Sequence, residues 1–223
     1  MMIKAVVFDM YETLITHYRT PLYFSEAMAA DAGVDTERFR NTWRSLENDR
    51  TIGRITFEQT IECILRENNA YSEEMLKLIS KKRRQTKDRC FETMHEGIIP
   101  MLEALKAKGI KIGLISNCFS EEAQAIKESV LFKYFDAACL SYELKMRKPE
   151  REIFDCCLKR LGVKADECLY IGDGGSGELE AAKAVGMKPL QAMWYSYDEN
   201  NDVIERKESF TALDEPEDIL RYV

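Results

Sequence analysis

Nowhere in the sequence do apolar residues run on for the ~20 positions that a membrane-spanning helix requires, so no helical span is expected. Nor is a secretory signal visible: the first apolar run meets an acid at Asp9, too early for one, and the protein is expected in the cytoplasm. None of the seven cysteines (Cys63, Cys90, Cys118, Cys139, Cys156, Cys157 and Cys168) belongs to a CxxC pair, and an odd number suits a disulfide framework poorly. Most of them read as buried, reduced thiols. Positive charge is in deficit, with a formal net charge of −7, which speaks against nucleic-acid binding because that depends on a basic surface. Internal repeats and low-complexity tracts are missing too.

What is present is a chain of 223 residues, 45% of them hydrophobic, which can bury a full core. At ~100–200 residues per domain it holds one large domain or one with an insert. Ile3, Ala5, Val6, Val7 and Phe8 make a near-continuous apolar run, suited to a central parallel strand covered on both faces. The run stops at Asp9 within VVFDMYETL (residues 6–14). A carboxylate at the carboxyl end of a buried strand lies where open α/β sheets bind ligands. An acid there also serves as an ordinary turn or helix-cap residue, so the later motifs decide.

Residues 15–96 carry helical patterns and no convincing strand. Thr20-Pro21 predicts a helix start and Gly33 its end. Phe39, Trp43 and Leu46 follow Asp35 at helical spacing; Thr56 and Gln59 resemble a capping box ahead of Phe57, Ile61, Ile64 and Leu65; Ser72 precedes Met75, Leu76 and Ile79. Four amphipathic helices are expected, forming a small bundle inserted after the first strand and lying over the carboxyl edge of a sheet. The basic run Lys81, Lys82, Arg83 and Arg84 could attract an anionic substrate, but a solvated helix end is the simpler reading.

From residue 97 onward strand and helix alternate. Pro100 opens a helix that ends at Gly109, and Ile110, Ile112, Leu114 and Ile115 form a second strand stopping at Ser116-Asn117, with Ser120 capping the next helix. A third strand (137–140) precedes Lys148-Pro149 and a helix showing Ile153, Phe154, Cys157, Leu158 and Leu161. A fourth (168–171) runs into GDGGSGELEAA, which contains Asp173 and Glu178, and residues 190–193 and 210–213 add a fifth and a sixth. Trp194, Tyr195 and Tyr197 read as packing against the sheet edge rather than lining a pocket. Adjacent parallel strands bring Asp9, Ser116 with Asn117, the lysine after the third strand, and Asp173 with Glu178 to one edge. Three carboxylates there repel one another unless protons or a hard divalent cation intervene, and one lysine cannot neutralise them all.

These motifs resemble those of the haloacid dehalogenase-like superfamily of hydrolases, in order and across almost the whole chain. Asp9 to Thr13 is similar to its first motif, LISN at residues 114–117 to its second, Lys148-Pro149 to its third and GDGGSGE at residues 172–178 to its fourth. The resemblance implies an α/β fold with a Rossmann-like parallel sheet core, residues 1–15 and 97–223, and an all-α helical-bundle cap, residues 16–96. It implies a phosphatase acting on a small phosphorylated metabolite. Asp9 would be the nucleophile that forms an aspartyl-phosphate. Asp9, the backbone carbonyl of Tyr11, Asp173 and Glu178 would form the Mg²⁺ site. Ser116 and Lys148 would hold the transferring group, with Thr13 and Asn117 in support.

The departure is Tyr11, at the position where the family's phosphatases carry an aspartate that protonates the leaving alcohol. A phenol with a pKa near ~10 is a poor replacement at neutral pH. Tyrosine there is what the family's 2-haloacid dehalogenases carry, and a 2-haloacid dehalogenase-like hydrolase is the alternative; Asp173 and Glu178 favour a magnesium enzyme. A binding protein that keeps the fold with little turnover is a third reading. Glu12 could supply an acid, but its position alone does not recommend it. His17 and His95, both near junctions of the helical stretch with the rest, read as hinge or surface residues, because magnesium prefers oxygen ligands.

Overall fold

The computed structural model describes residues 2–196 and 204–223, and Tyr197 lies outside them. In chain order the elements are β1 (Ala5–Phe8), α1 (Ser25–Ala32), α2 (Thr36–Ser45), α3 (Glu47–Thr51), α4 (Phe57–Glu67), α5 (Glu73–Glu92), α6 (Ile98–Ala107), β2 (Lys111–Ser116), α7 (Ser120–Glu128), β3 (Ala137–Leu140), α8 (Ser141–Leu144), α9 (Arg151–Leu161), β4 (Cys168–Gly172), α10 (Glu178–Val185), β5 (Lys188–Ala192) and β6 (Thr211–Leu213).

The six strands form one parallel sheet in the order β3-β2-β1-β4-β5-β6. β1 is central because all four of its side chains are buried: Val6 and Phe8 enter one apolar cluster, Ala5 and Val7 the other. That alternation, on a strand with no polar side chain, requires a helical layer on each face. α6 covers the first face with Leu102 and Leu105. α9 and α10 cover the second with Phe154, Leu158 and Leu179. The strand order reverses between β1 and β4, and the crevice at their carboxyl ends is where this Rossmann-like topology binds ligands.

Of the five helices between β1 and α6, α1, α2, α4 and α5 share their own apolar cluster of Met28, Phe39, Phe57, Ile61, Ile64 and Leu65, among others. Asp35 accepts from the Arg38 N–H, Thr56 and Gln59 form a reciprocal capping box, and Ser72 accepts from the Met75 N–H. Four expectations need correction. There are five helices, since α3 forms directly after Leu46. The first begins at Ser25, not after Thr20, because Thr20 closes a turn by donating its hydroxyl to the His17 carbonyl. α6 begins at Ile98, two residues before Pro100. Ser120 does not cap α7: its hydroxyl accepts from the Phe57 N–H at 2.8 Å, while Glu122 accepts from the Phe119 N–H. All seven cysteines are free, and five are buried.

Candidate active site

Asp9 follows β1 directly and remains tied to β4, its N–H donating to the Ile171 carbonyl at 2.8 Å. Its Oδ1 accepts from the Met10 N–H at 2.7 Å. The loop then folds back, with the Leu14 and Ile15 N–H groups both donating to the Met10 carbonyl. It is also fixed from beyond β5: the Trp194 indole donates to the Thr13 carbonyl at 2.7 Å and the Tyr195 hydroxyl to the Leu14 carbonyl at 3.1 Å. The two aromatics therefore pack as the sequence suggested, and they also anchor this loop.

Across the crevice, β4 delivers Asp173, and Glu178 reaches back from the start of α10. Carboxylate oxygens of Asp9, Asp173 and Glu178 lie within 4.8 Å of one another. Glycine at position 172 permits this, since a Cβ there would meet Glu178 Oε1 at 2.0 Å. Lys148 Nζ lies 2.6 Å from Asp9 Oδ1 and also pairs with Glu178, and the Tyr170 hydroxyl donates to Glu178 at 2.8 Å. Asn117 positions the lysine from behind: its Oδ1 accepts from the Lys148 N–H at 2.8 Å and its Nδ2 donates to the Lys148 carbonyl at 3.0 Å. Gln191, wholly buried on β5, donates to the Asp173 and Glu205 carbonyls, both at 2.8 Å, and accepts from the Lys207 N–H.

Burial, then the Glu178 charge, raise the Asp9 carboxyl well above an ordinary aspartate, even with Lys148 opposing. Burial and Glu178 likewise push Asp173 to about 7. One ammonium thus leaves the cluster short of positive charge, and a hard cation coordinated by oxygens would supply it. Two buried hydroxyls beside this edge, Thr13 Oγ1 and Ser116 Oγ, have no hydrogen-bond partner among the described residues. Unsatisfied polar atoms are rare in folded cores and point to a ligand that completes them. The donor set therefore fits Mg²⁺ together with an oxyanion.

Tyr11 stands apart from this cluster. Its ring stacks on His17, with centroids 4.3 Å apart, and Lys87 Nζ lies 5.0 Å from the ring centre. Its buried hydroxyl lacks a partner among the described residues, and burial followed by the Glu122 charge holds the phenol well above its ordinary pKa. Glu12, at φ 57°, is turned away: its carboxylate accepts from the Thr16 hydroxyl and from the His17 N–H at 3.1 Å. His17 is therefore no surface residue. Glu12 and Lys87 Nζ, 2.5 Å from its Nε2, hold it from both sides. Beyond Lys87 stands a buried ionic cluster that joins α5 to α7, with Arg83 paired to Glu121 and Glu122 at 3.0 and 3.1 Å and Lys87 to Glu122 at 2.6 Å.

The basic run thus divides. Lys81 is exposed, Lys82 pairs with Asp31 and Arg84 with Asp88, and only Arg83 turns inward. Lys87, Glu122, Tyr170 and Gln191 escaped the sequence reading. Each is a polar residue at an apolar position of a helix or strand, and that misfit is the signal that marks them.

A family model for haloacid dehalogenase-like hydrolases matches residues 3–186. The glyceraldehyde 3-phosphate phosphatase of Methanocaldococcus jannaschii is 30% identical over 55% of this chain, and the match spans 54% of that enzyme, about half its length. The phosphorylated carbohydrates phosphatase of Thermotoga maritima is 30% identical over 65% of this chain and 68% of its own. Among solved structures, the 2-haloacid dehalogenase of Pseudomonas syringae pv. Tomato covers all of both chains with a TM-score of 0.68 at 21% identity. With the parallel sheet and its motifs at the strand ends, the chain belongs to the haloacid dehalogenase-like hydrolases.

Proposed function

We propose that the chain is a Mg²⁺-dependent phosphatase of small phosphorylated metabolites, with residues 1–15 and 97–223 as the catalytic core and residues 16–96 as a cap over its edge. The observation that carries this reading is the acidic cluster at the switch point of the sheet, which Lys148 alone leaves short of positive charge. The phosphatase names of the two relatives support the substrate class.

Asp9, the Tyr11 carbonyl, Asp173 and Glu178 would hold the metal, which when bound neutralises the carboxylates and polarises a phosphoryl oxygen. Asp9 attacks phosphorus through a carboxylate oxygen, the bond to the leaving oxygen breaks, and an aspartyl-phosphate forms. Water then attacks phosphorus and frees orthophosphate and the carboxylate. Ser116 donates its unpartnered hydroxyl to the phosphoryl group, Lys148 neutralises developing negative charge, and Thr13 and Asn117 support the loops. Tyr11 keeps its proton at neutral pH, so the leaving group departs as a weak base or takes its proton from water. Good leaving groups, acyl phosphates among them, are turned over fastest.

The test is release of p-nitrophenol from p-nitrophenyl phosphate. Activity is expected with Mg²⁺, lost in EDTA and abolished in Asp9→Asn; activity that survives both treatments overturns the reading. Tyr11 favours one competing reading, a 2-haloacid dehalogenase-like hydrolase, in which halide leaves without a proton. That reading predicts chloride release from 2-chloropropionate in EDTA.

A further inference from the structure

β4 is buried along its whole length, and Tyr170 is the one residue on it that carries a hydroxyl. Its ring lies against Phe154, with centroids 5.5 Å apart, in the apolar cluster that α9 covers. A phenylalanine would pack there as well and would spare the desolvation of a polar atom. The hydroxyl is therefore explained by what it touches. It donates to Glu178 Oε2 at 2.8 Å and accepts from Lys148 Nζ at 3.3 Å. The backbone makes room for this contact. Tyr170 and Gly172 are two positions apart on one strand and face the same side of the sheet. A Cβ at Gly172 would meet Glu178 Oε1 at 2.0 Å and Tyr170 Cε1 at 3.1 Å, so the carboxylate lies over the glycine and reaches the phenol beyond it.

The two oxygens of Glu178 thereby become distinct. Oε2 holds the Tyr170 hydroxyl and the Lys148 ammonium, whereas Oε1 takes the Gly174 N–H at 3.3 Å. Lys148 is shared with Asp9, and a lysine is a point charge on a flexible stem, so it does not fix the carboxylate plane by itself. The phenol is a neutral donor on a packed ring: it orients Glu178 and leaves the negative charge available to a cation. We propose that Tyr170 is a positioning residue of the metal site, which by holding Glu178 Oε2 makes the site prefer Mg²⁺ to Ca²⁺. This rests on the metal reading of the acidic cluster given above. Mg²⁺ demands a near-ideal octahedron of oxygens, whereas Ca²⁺ accepts flexible geometry, so a carboxylate free to swing costs Mg²⁺ more. Outer partners that orient a ligand typically contribute about 10- to 100-fold in metal affinity.

The test is calorimetric titration of the whole chain with Mg²⁺ and, separately, with Ca²⁺, native and as Tyr170→Phe. The substitution removes one oxygen atom and leaves the ring against Phe154. Mg²⁺ affinity is expected to fall by about 10-fold or more and Ca²⁺ affinity by less than ~3-fold, so that the ratio of the two falls. The melting temperature in EDTA reads stability apart from the metal. A lower melting temperature with both affinities unchanged gives the hydroxyl a structural role alone and overturns the proposal, as does an equal loss for both ions. Glu178→Ala tests the route: in that background Tyr170→Phe should weaken Mg²⁺ no further, because the hydroxyl acts through Glu178, and a further loss of the same size contradicts it. A native chain that binds no Mg²⁺ overturns this proposal together with the metal site. One that binds Mg²⁺ yet leaves p-nitrophenyl phosphate intact overturns the phosphatase reading alone, because these titrations require no turnover.

Discussion

At Tyr11 a phenol occupies the position where the family resemblance expects an acid that gives up and regains its proton, and its surroundings enlarge the difference. Buried between His17 and Lys87 and close to the Glu122 charge, it keeps its proton far above neutral pH. A general acid typically contributes ~10²–10⁴-fold. Tyr11→Asp is therefore expected to raise kcat/KM for an alkyl ester such as glycerol phosphate by about 10²-fold, and to change p-nitrophenyl phosphate much less, because nitrophenolate leaves without help. Rates on both esters in the native chain and the variant check this; an alkyl ester turned over no faster by the variant contradicts it.

At the scale of elements, Asn117 links the end of β2 to the loop carrying Lys148, accepting from the Lys148 N–H and donating to its carbonyl. Asn117→Ala leaves the Lys148 N–H and carbonyl unpaired, at a cost of about 1–3 kcal/mol. It should lower kcat by ~10-fold or more while Mg²⁺ affinity changes little; a variant losing stability but not kcat would give Asn117 a structural role alone. These links explain what the sequence made readable. Asp9, Ser116 and Asp173 each sit where an apolar strand stops, so their arrival at one edge follows from parallel pairing. Thr20-Pro21 misled because the same residues that begin helices also close turns, and the Thr20 hydroxyl found the His17 carbonyl first. Arg83 and Glu122 stand 39 positions apart, so no local spacing announces their pairing. Arg83 read as one of four exposed cations until the docking of α5 on α7 buried it.

For the molecule as a whole, the acidic cluster makes stability depend on pH and metal together. Without metal, the folded Asp173 carboxyl loses its proton at about 7, against 3.8 for an ordinary aspartate. Between those values the folded chain holds a proton that the unfolded chain has released, so stability falls as pH rises through this window. Glu122, held down to about 2, and His17, held down by burial to about 4, act in the opposite sense, but below their ordinary values of 4.5 and 6.5. In EDTA the melting temperature should therefore be lower near pH 8 than near pH 6.5, above the range where His17 contributes, and Mg²⁺ should raise it more at the higher pH, where no proton competes for the ligands. A melting temperature that climbs across this window in EDTA contradicts the charge balance derived for the site. The most direct measurement is a crystal structure grown with Mg²⁺ and beryllofluoride, a mimic of the phosphoryl group. The account predicts beryllium bonded to an Asp9 carboxylate oxygen and Mg²⁺ held by Asp9, Asp173 and the Tyr11 carbonyl. Beryllofluoride elsewhere, or Mg²⁺ absent from Asp173, would contradict it.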